Sequence, residues 1–204
     1  MKFNTTTQIP VMEHFYTIQG EGFYAGHAAY FIRLAGCDVG CVWCDVKESW
    51  TAAEHQLIWI DDLINELLKY PARLVVITGG EPLMYDLSHL TKKLKENGFQ
   101  INIETSGAYP ISGSLDWICV SPKKFKTPLI EVIAKANELK CIIFHKSDFE
   151  FAEQNRKLTS ATCKLYLQTE WSKKDQMTPL MVEYAKQHPQ WQISVQTHKY
   201  MDIP

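Results

Sequence analysis

Apolar residues in this chain gather in short β-branched and aromatic runs. Between the runs lie longer stretches in which they recur every three or four positions. The runs predict strands over Tyr30–Ala35, Leu74–Thr78, Gln100–Glu104, Trp117–Val120, Cys141–His145, Lys164–Gln168 and Gln192–Thr197. The stretches predict helices over Leu57–Tyr70, Leu87–Asn97, Pro128–Leu139, Asp148–Leu158 and Pro179–His188. Several ends have a local reason. Pro71 stops the first helix, Asp86 caps the second and Gly98 follows its last turn, and Thr127 with Pro128 forms a cap and first-turn pair for the third. Strand-helix alternation of this kind implies an α/β fold, a mostly parallel sheet with outer helices, as an open sheet or a partial barrel. With no long repeat, low-complexity tract or linker, one domain over 1–204 is expected.

Polar signatures sit where strands end. Tyr30–Ala35 leads into Gly36-Cys37, Leu74–Thr78 into Gly79-Gly80-Glu81-Pro82, and Gln100–Glu104 into Thr105-Ser106-Gly107. Trp117–Val120 leads into Ser121-Pro122-Lys123, and the last strand into Gln196-Thr197-His198-Lys199. In parallel α/β architectures ligands gather at that edge, so five signatures at the same end mark an active-site rim.

Composition narrows the picture. A chain of 204 residues can bury a real core without disulfide staples. A net charge of −2 argues against nucleic acid as a partner, because backbone binding needs a strong positive field. No apolar run reaches membrane-spanning length, and Met1 to Pro10 is too polar for a signal-peptide core, so a cytoplasmic, membrane-free protein is expected. The 6 cysteines are an even number, but three crowd together while Cys119, Cys141 and Cys163 stand singly among apolar residues, as core cysteines do.

The crowded three, Cys37, Cys41 and Cys44, lie in a loop with Gly36 and Gly40. Thiolates are soft ligands that suit zinc, Cu(I) or iron–sulfur clusters. Structural zinc takes four protein ligands, and Asp45 or His55 would have to supply the fourth. A cubane on three cysteines leaves one iron open to an outside ligand, whereas most electron-transfer clusters use four.

The C-x3-C-x2-C spacing, with Gly79-Gly80-Glu81 after the next strand, resembles the radical S-adenosylmethionine superfamily. Further segments resemble one family within it, the 7-carboxy-7-deazaguanine synthases. These are Tyr16 to Gly22, Phe31 to Cys37, Cys41 to Asp45, Ile77 to Leu83, Glu104 to Gly107, Ser121 to Lys123 and Gln196 to Tyr200. The resemblance implies a partial barrel and a [4Fe–4S] cluster on Cys37, Cys41 and Cys44, with S-adenosylmethionine on its open iron. It implies no catalytic side chain beyond that pair. S-adenosylmethionine would be held by Trp43, Cys44, Asp45, Gly80, Glu81, Ser121, Pro122 and Lys123. The substrate, 6-carboxy-5,6,7,8-tetrahydropterin, would meet Ile18, Gln19, Gly20, Glu21, Arg33, Thr78, His198 and Pro204. The family also implies an external reductant such as flavodoxin, a homodimer, and a Mg²⁺ ion. Where the family often has threonine to help hold that ion, this chain has Val46, whose side chain carries no oxygen.

Each residue also has a plainer reading. Arg33 can be a structural ion pair, Glu21 a turn carboxylate, Lys123 with Lys124 and Lys126 an exposed basic loop, and His198 with Lys199 a solvated strand end. Trp43 and Trp50 can line a water-excluding site or belong to the core. Two rival functions remain at this level: a glycyl-radical activating enzyme, which shares the cysteine spacing, and a zinc-stapled binding module.

Overall fold

A computed structural model describes residues 7–44 and 46–204, so Asp45 and the first six residues lie outside it. Its centre is a nine-stranded sheet of β1 (Gln8–Ile18), β2 (Ala28–Leu34), β3 (Gln56–Trp59), β4 (Leu74–Gly79), β5 (Gln100–Thr105), β6 (Trp117–Val120), β7 (Glu138–Ile143), β8 (Lys164–Thr169) and β9 (Trp191–Ser194). The order is β3-β1-β2-β4-β5-β6-β7-β8-β9. From β2 to β9 every pairing is parallel; β1 runs antiparallel to both β2 and β3. The helices are α1 (Ile60–Leu67), α2 (Ser88–Glu96), the single turn α3 (Ile130–Ile133), α4 (Asp148–Arg156), α5 (Lys174–Gln187) and α6 (Thr197–Met201).

Side-chain alternation along the strands sorts the two faces. Ile32, Leu34, Val75, Ile77, Ile101, Ile103, Val120, Leu139, Ile143 and Leu167 form the main core with Leu63 and Leu67 of α1, Leu90 and Leu94 of α2, and Met177 and Met181 of α5. The intervening positions therefore share the other face: Arg33, Thr78, Asn102, Glu104, Cys119, Lys140, Gln168 and Ser194. A parallel strand normally reads as continuous hydrophobics because both faces are dry. Here that face is divided: Ala29, Leu74 and Val76 pack with Tyr24 and Phe31 in a small second core, while Arg33, Thr78, Glu104, Lys140 and Gln168 line a cleft.

Seven of the nine strands are those the apolar runs predict, with ends shifted by a few residues. β1 lies outside the predicted strands. Pro10 interrupts its pattern and removes one ladder donor, yet the Pro10 carbonyl still accepts from Ala35 N at 3.1 Å, so two neighbours hold the strand extended. β3 occupies the predicted start of the first helix, because Leu57 and Ile58 pair with Pro10 and Ile9 before the helix begins. The third helix shrinks to one turn. Thr127 does not cap it; it starts at Ile130, and Glu138 and Leu139 are taken by pairing with β6 and β8. α5 begins upstream of Pro179 and runs through it, and Thr197 starts α6 rather than ending a strand. Leu87 rather than Asp86 is the N-cap of α2, although Asp86 just before it accepts from Ser88 N at 2.9 Å, and Gly98 takes φ +75° after α2. Among the described residues no helix is long and apolar enough to cross a membrane.

Candidate active site

The three cysteines leave the end of β2 on a loop pinned from two sides. Gly36 N donates to Ser49 O and Cys37 N to Trp50 O, while Glu81 N donates back to Gly36 O at 2.9 Å. Gly36 adopts φ +99° and Gly40 φ +74°, conformations open to glycine and strained for other residues. Gly80 lies so close to this loop that a β-carbon there would overlap the Gly36 carbonyl oxygen and press on Cys37 Cβ. The two-glycine segment thus serves first as a seat for the cysteine loop. Gly80→Ala is expected to lift that loop, costing about 1–3 kcal/mol of stability. Iron bound per chain after anaerobic reconstitution should fall, as an iron and sulfide assay will show.

Cys41 is buried, Cys37 and Cys44 are half-buried, and all three line a cleft of about 310 Å³. Burial pushes the Cys37 and Cys41 thiols up, and the neighbouring Cys44 adds to both, while Lys123 opposes the rise at Cys41. Loading of metal there must release protons. Three thiolates at the edge of one cleft are soft ligands that suit a cubane, where each takes a different iron. Cys119 on β6 and Cys141 on β7 are buried, and Cys163 is half-buried.

Around the cysteines the same cleft collects Trp43, Gly80, Glu81, Ser121 and Lys123. Pro122 instead lines an adjoining cavity with Trp43 and Lys123. Lys123 is not a solvated loop residue. Its ammonium donates to Ser121 Oγ at 2.5 Å and stands 5.3 Å from the Trp43 ring centroid, and burial lowers its pKa. Its neighbours pair elsewhere, Lys124 with the buried Asp148 and Lys126 with Asp38 at the surface. Glu81 is 1% exposed and its carboxylate is fully engaged, accepting from Leu83 N, Thr105 Oγ1, Ser106 N and Ser106 Oγ. The side chain therefore braces the end of β4 against that of β5 while bordering the cleft.

Ile18, Gln19, Gly20, Glu21, Arg33, Thr78, His198 and Pro204 all line this cleft, although 187 positions separate Thr17 from Pro204, whose carbonyl it contacts. Arg33 donates from Nε to Glu13 at 2.6 Å, so the ion pair is real, and the arginine still borders the cleft. The chain end reaches the site through α6: Thr197 N and Oγ1 both donate to Gly20 O, and a β-carbon at Gly20 would overlap His198.

Glu21 carries more than a turn. Its carboxylate accepts from Lys140 Nζ at 2.6 Å and from Gln196 Nε2 at 2.8 Å. Burial alone would raise its pKa, but Lys140 outweighs that and holds it down at about 2. Lys140 is 4% exposed and also donates to Glu104 at 2.8 Å. Burial works against its charge, yet the two carboxylates keep its pKa well above the ordinary lysine value. Lys140, Glu104 and Gln168 are absent from the sequence-predicted site. One signal marks the first two: a charged residue on alternate positions inside a parallel strand, where apolar side chains are the rule. Among the described residues, three buried polar atoms lack a hydrogen-bond partner, Trp50 Nε1, Glu138 Oε1 and Gln196 Oε1, and Trp50 and Gln196 both line the cleft. Such orphans are costly and fit a site completed by its ligands.

A parallel partial barrel carrying a three-cysteine loop at the C-terminal edge of its sheet defines a radical S-adenosylmethionine protein, and residues 31–119 match the model of the Radical SAM superfamily. Over 96% of its length the chain is 54% identical to a 7-carboxy-7-deazaguanine synthase from Flavobacterium psychrophilum, covering 93% of that relative. Relatives of the same name from Synechocystis and Escherichia coli are 46% and 36% identical, over 97% and 96% of this chain and 95% and 99% of theirs. A crystal structure of QueE from Escherichia coli superposes with a TM-score of 0.81 at 35% identity, over 92% of this chain and 93% of that one. The chain belongs to the 7-carboxy-7-deazaguanine synthase family.

Proposed function

We propose that this protein converts 6-carboxy-5,6,7,8-tetrahydropterin to 7-carboxy-7-deazaguanine with loss of ammonia. One observation carries the reading: the cysteine loop and the residues implied for the pterin line a single cleft. When bound, the [4Fe–4S] cluster and S-adenosylmethionine supply a 5′-deoxyadenosyl radical that takes hydrogen from the substrate. The chain's own residues position and enclose. Arg33, its guanidinium oriented through Nε by Glu13, offers a cation to the substrate carboxylate. Gln19 and the backbone of Ile18 and Gly20 supply donors and acceptors for the ring edge, and Phe15, Phe31 and Trp43 give an apolar lining that limits water. The same reading includes Asp45, Gly80 and Pro122 among the residues near S-adenosylmethionine, an external reductant such as flavodoxin, a homodimer and a cytoplasmic location. A glycyl-radical activating role or a zinc staple has no support in the relatives' names.

The test is anaerobic incubation with reductant, S-adenosylmethionine and 6-carboxytetrahydropterin, read by mass spectrometry. Appearance of 7-carboxy-7-deazaguanine supports the proposal; its absence with the cluster intact overturns it.

Mg²⁺ belongs to the proposal in a weakened form. Val46 borders the cleft and offers only carbon where the family often places a hydroxyl. Turnover is expected to depend less on Mg²⁺ than in threonine-bearing relatives, and Val46→Thr to strengthen the dependence. Assays across a Mg²⁺ titration check this, and an absolute requirement in the unaltered protein would sink it.

A further inference from the structure

Gln196 follows β9, is 8% exposed and borders the cleft. Its Nε2 donates to Glu21 Oε1 at 2.8 Å, and its Oε1 is buried without a partner among the described residues. Which way a side-chain amide points is ordinarily ambiguous. Here chemistry settles it. Glu21, paired with Lys140, is ionised at neutral pH and presents only acceptors. The amide nitrogen must face it, because the reverse orientation would set oxygen against oxygen. The carbonyl is thereby turned away from Glu21 and held as a buried acceptor waiting for a donor.

We propose that Gln196 is a specificity-determining residue that accepts a hydrogen bond from the 2-amino group of the pterin. This rests on the substrate reading above. Arg33 stands on β2 beside Glu13, whereas Glu21 bonds both Gln196 and Lys140 where the β1–β2 loop meets β7 and β9. The cation and the acceptor group are therefore separate places in one cleft. A 6-carboxypterin carries its anionic group at one end of the bicycle and its amino group at the other. A substrate with its carboxylate on Arg33 turns its amino donors toward Gln196. Lys140 then acts as a positioning residue: it keeps Glu21 ionised, Glu21 fixes the amide, and the amide reads the ligand.

Anaerobic binding without reductant tests this, using the S-adenosylmethionine-loaded protein and two probes. One is 6-carboxytetrahydropterin; the other is its 2-oxo analogue, in which a carbonyl replaces the amino group. The unaltered protein should prefer the pterin by at least about tenfold, since the analogue sets acceptor against acceptor. Gln196→Met, of similar length and without an acceptor, should weaken pterin binding by about tenfold or more and change analogue binding by less than about threefold. Gln196→Asn, which withdraws the amide by one methylene, should show the same ranking at smaller amplitude and serves if the methionine variant folds poorly. Unchanged preference in both variants, or equal loss for both probes, overturns the inference, leaving Gln196 a structural residue whose acceptor is met by water. If the unaltered protein binds neither probe, the substrate reading falls first and takes this inference with it.

Discussion

Cys41→Ala is expected to abolish S-adenosylmethionine cleavage while leaving the fold in place. Cys41 is buried at the cleft, between two other ligands on a loop whose backbone is fixed by Gly36, Ser49, Trp50 and Glu81. Those backbone bonds survive the substitution, and the main core contains none of the three cysteines. What is lost is a soft ligand that no neighbour can replace. Reconstituted protein should carry little iron and lack the brown absorption of a cubane, and cleavage should fall to background. Circular dichroism and the urea midpoint should stay close to those of the unaltered apoprotein. A variant that keeps the cluster and cleaves would remove Cys41 from the ligand set; one that unfolds would make the loop a part of the core.

Lys140→Met is expected to have the largest effect on stability. Lys140 sits at 5% side-chain exposure between Glu21 and Glu104, each at 20%. Removing one partner of a buried ionic group leaves the other charges uncompensated and costs about 3–5 kcal/mol. The pH dependence identifies the cause. Glu21 has its pKa depressed to about 2 from 4.5, so in the unaltered protein it contributes stability above pH 4.5 that is lost as pH falls toward 2. Without Lys140 the effect of burial, which raises this pKa, is opposed only by the hydrogen bonds from its amide neighbours. Carboxyl protonation then relieves the buried charge. The variant should gain stability from pH 7 to pH 5, over a range where this pair leaves the unaltered protein flat. Urea midpoints across that range decide the matter; parallel profiles would show that Lys140 contributes packing rather than charge.

Legibility in the sequence followed locality. β6 and most parallel strands were readable because one face of each must be apolar wherever its helices pack. β1 was not, because Pro10 spoils its pattern and only its two neighbours make it a strand. Leu139 looked like the end of a helix because an apolar residue satisfies either period, and pairing with β8 decided the choice. For the site, residues in dense motifs were readable and isolated ones were not. Lys140 and Gln168 stand alone in apolar runs, and the partners that give them meaning lie far off in sequence, as Glu21 does from Lys140 by 119 positions.

The cysteine spacing and its flanking glycines were determined by sequence alone, because three ligands on one short loop are neighbours along the chain, whereas the bonds that fix the loop come from Ser49, Trp50 and Glu81. The segments from Tyr16 to Gly22 and from Gln196 to Tyr200 likewise carried the resemblance that implies a pterin substrate. Only the tertiary structure decided what each polar residue does: it spent Glu81 on Thr105 and Ser106, turned Arg33 to Glu13, and set Glu21 against Lys140 and Gln196. A carboxylate's role depends on which donors reach it and on how much water remains, and both are properties of distant segments brought together.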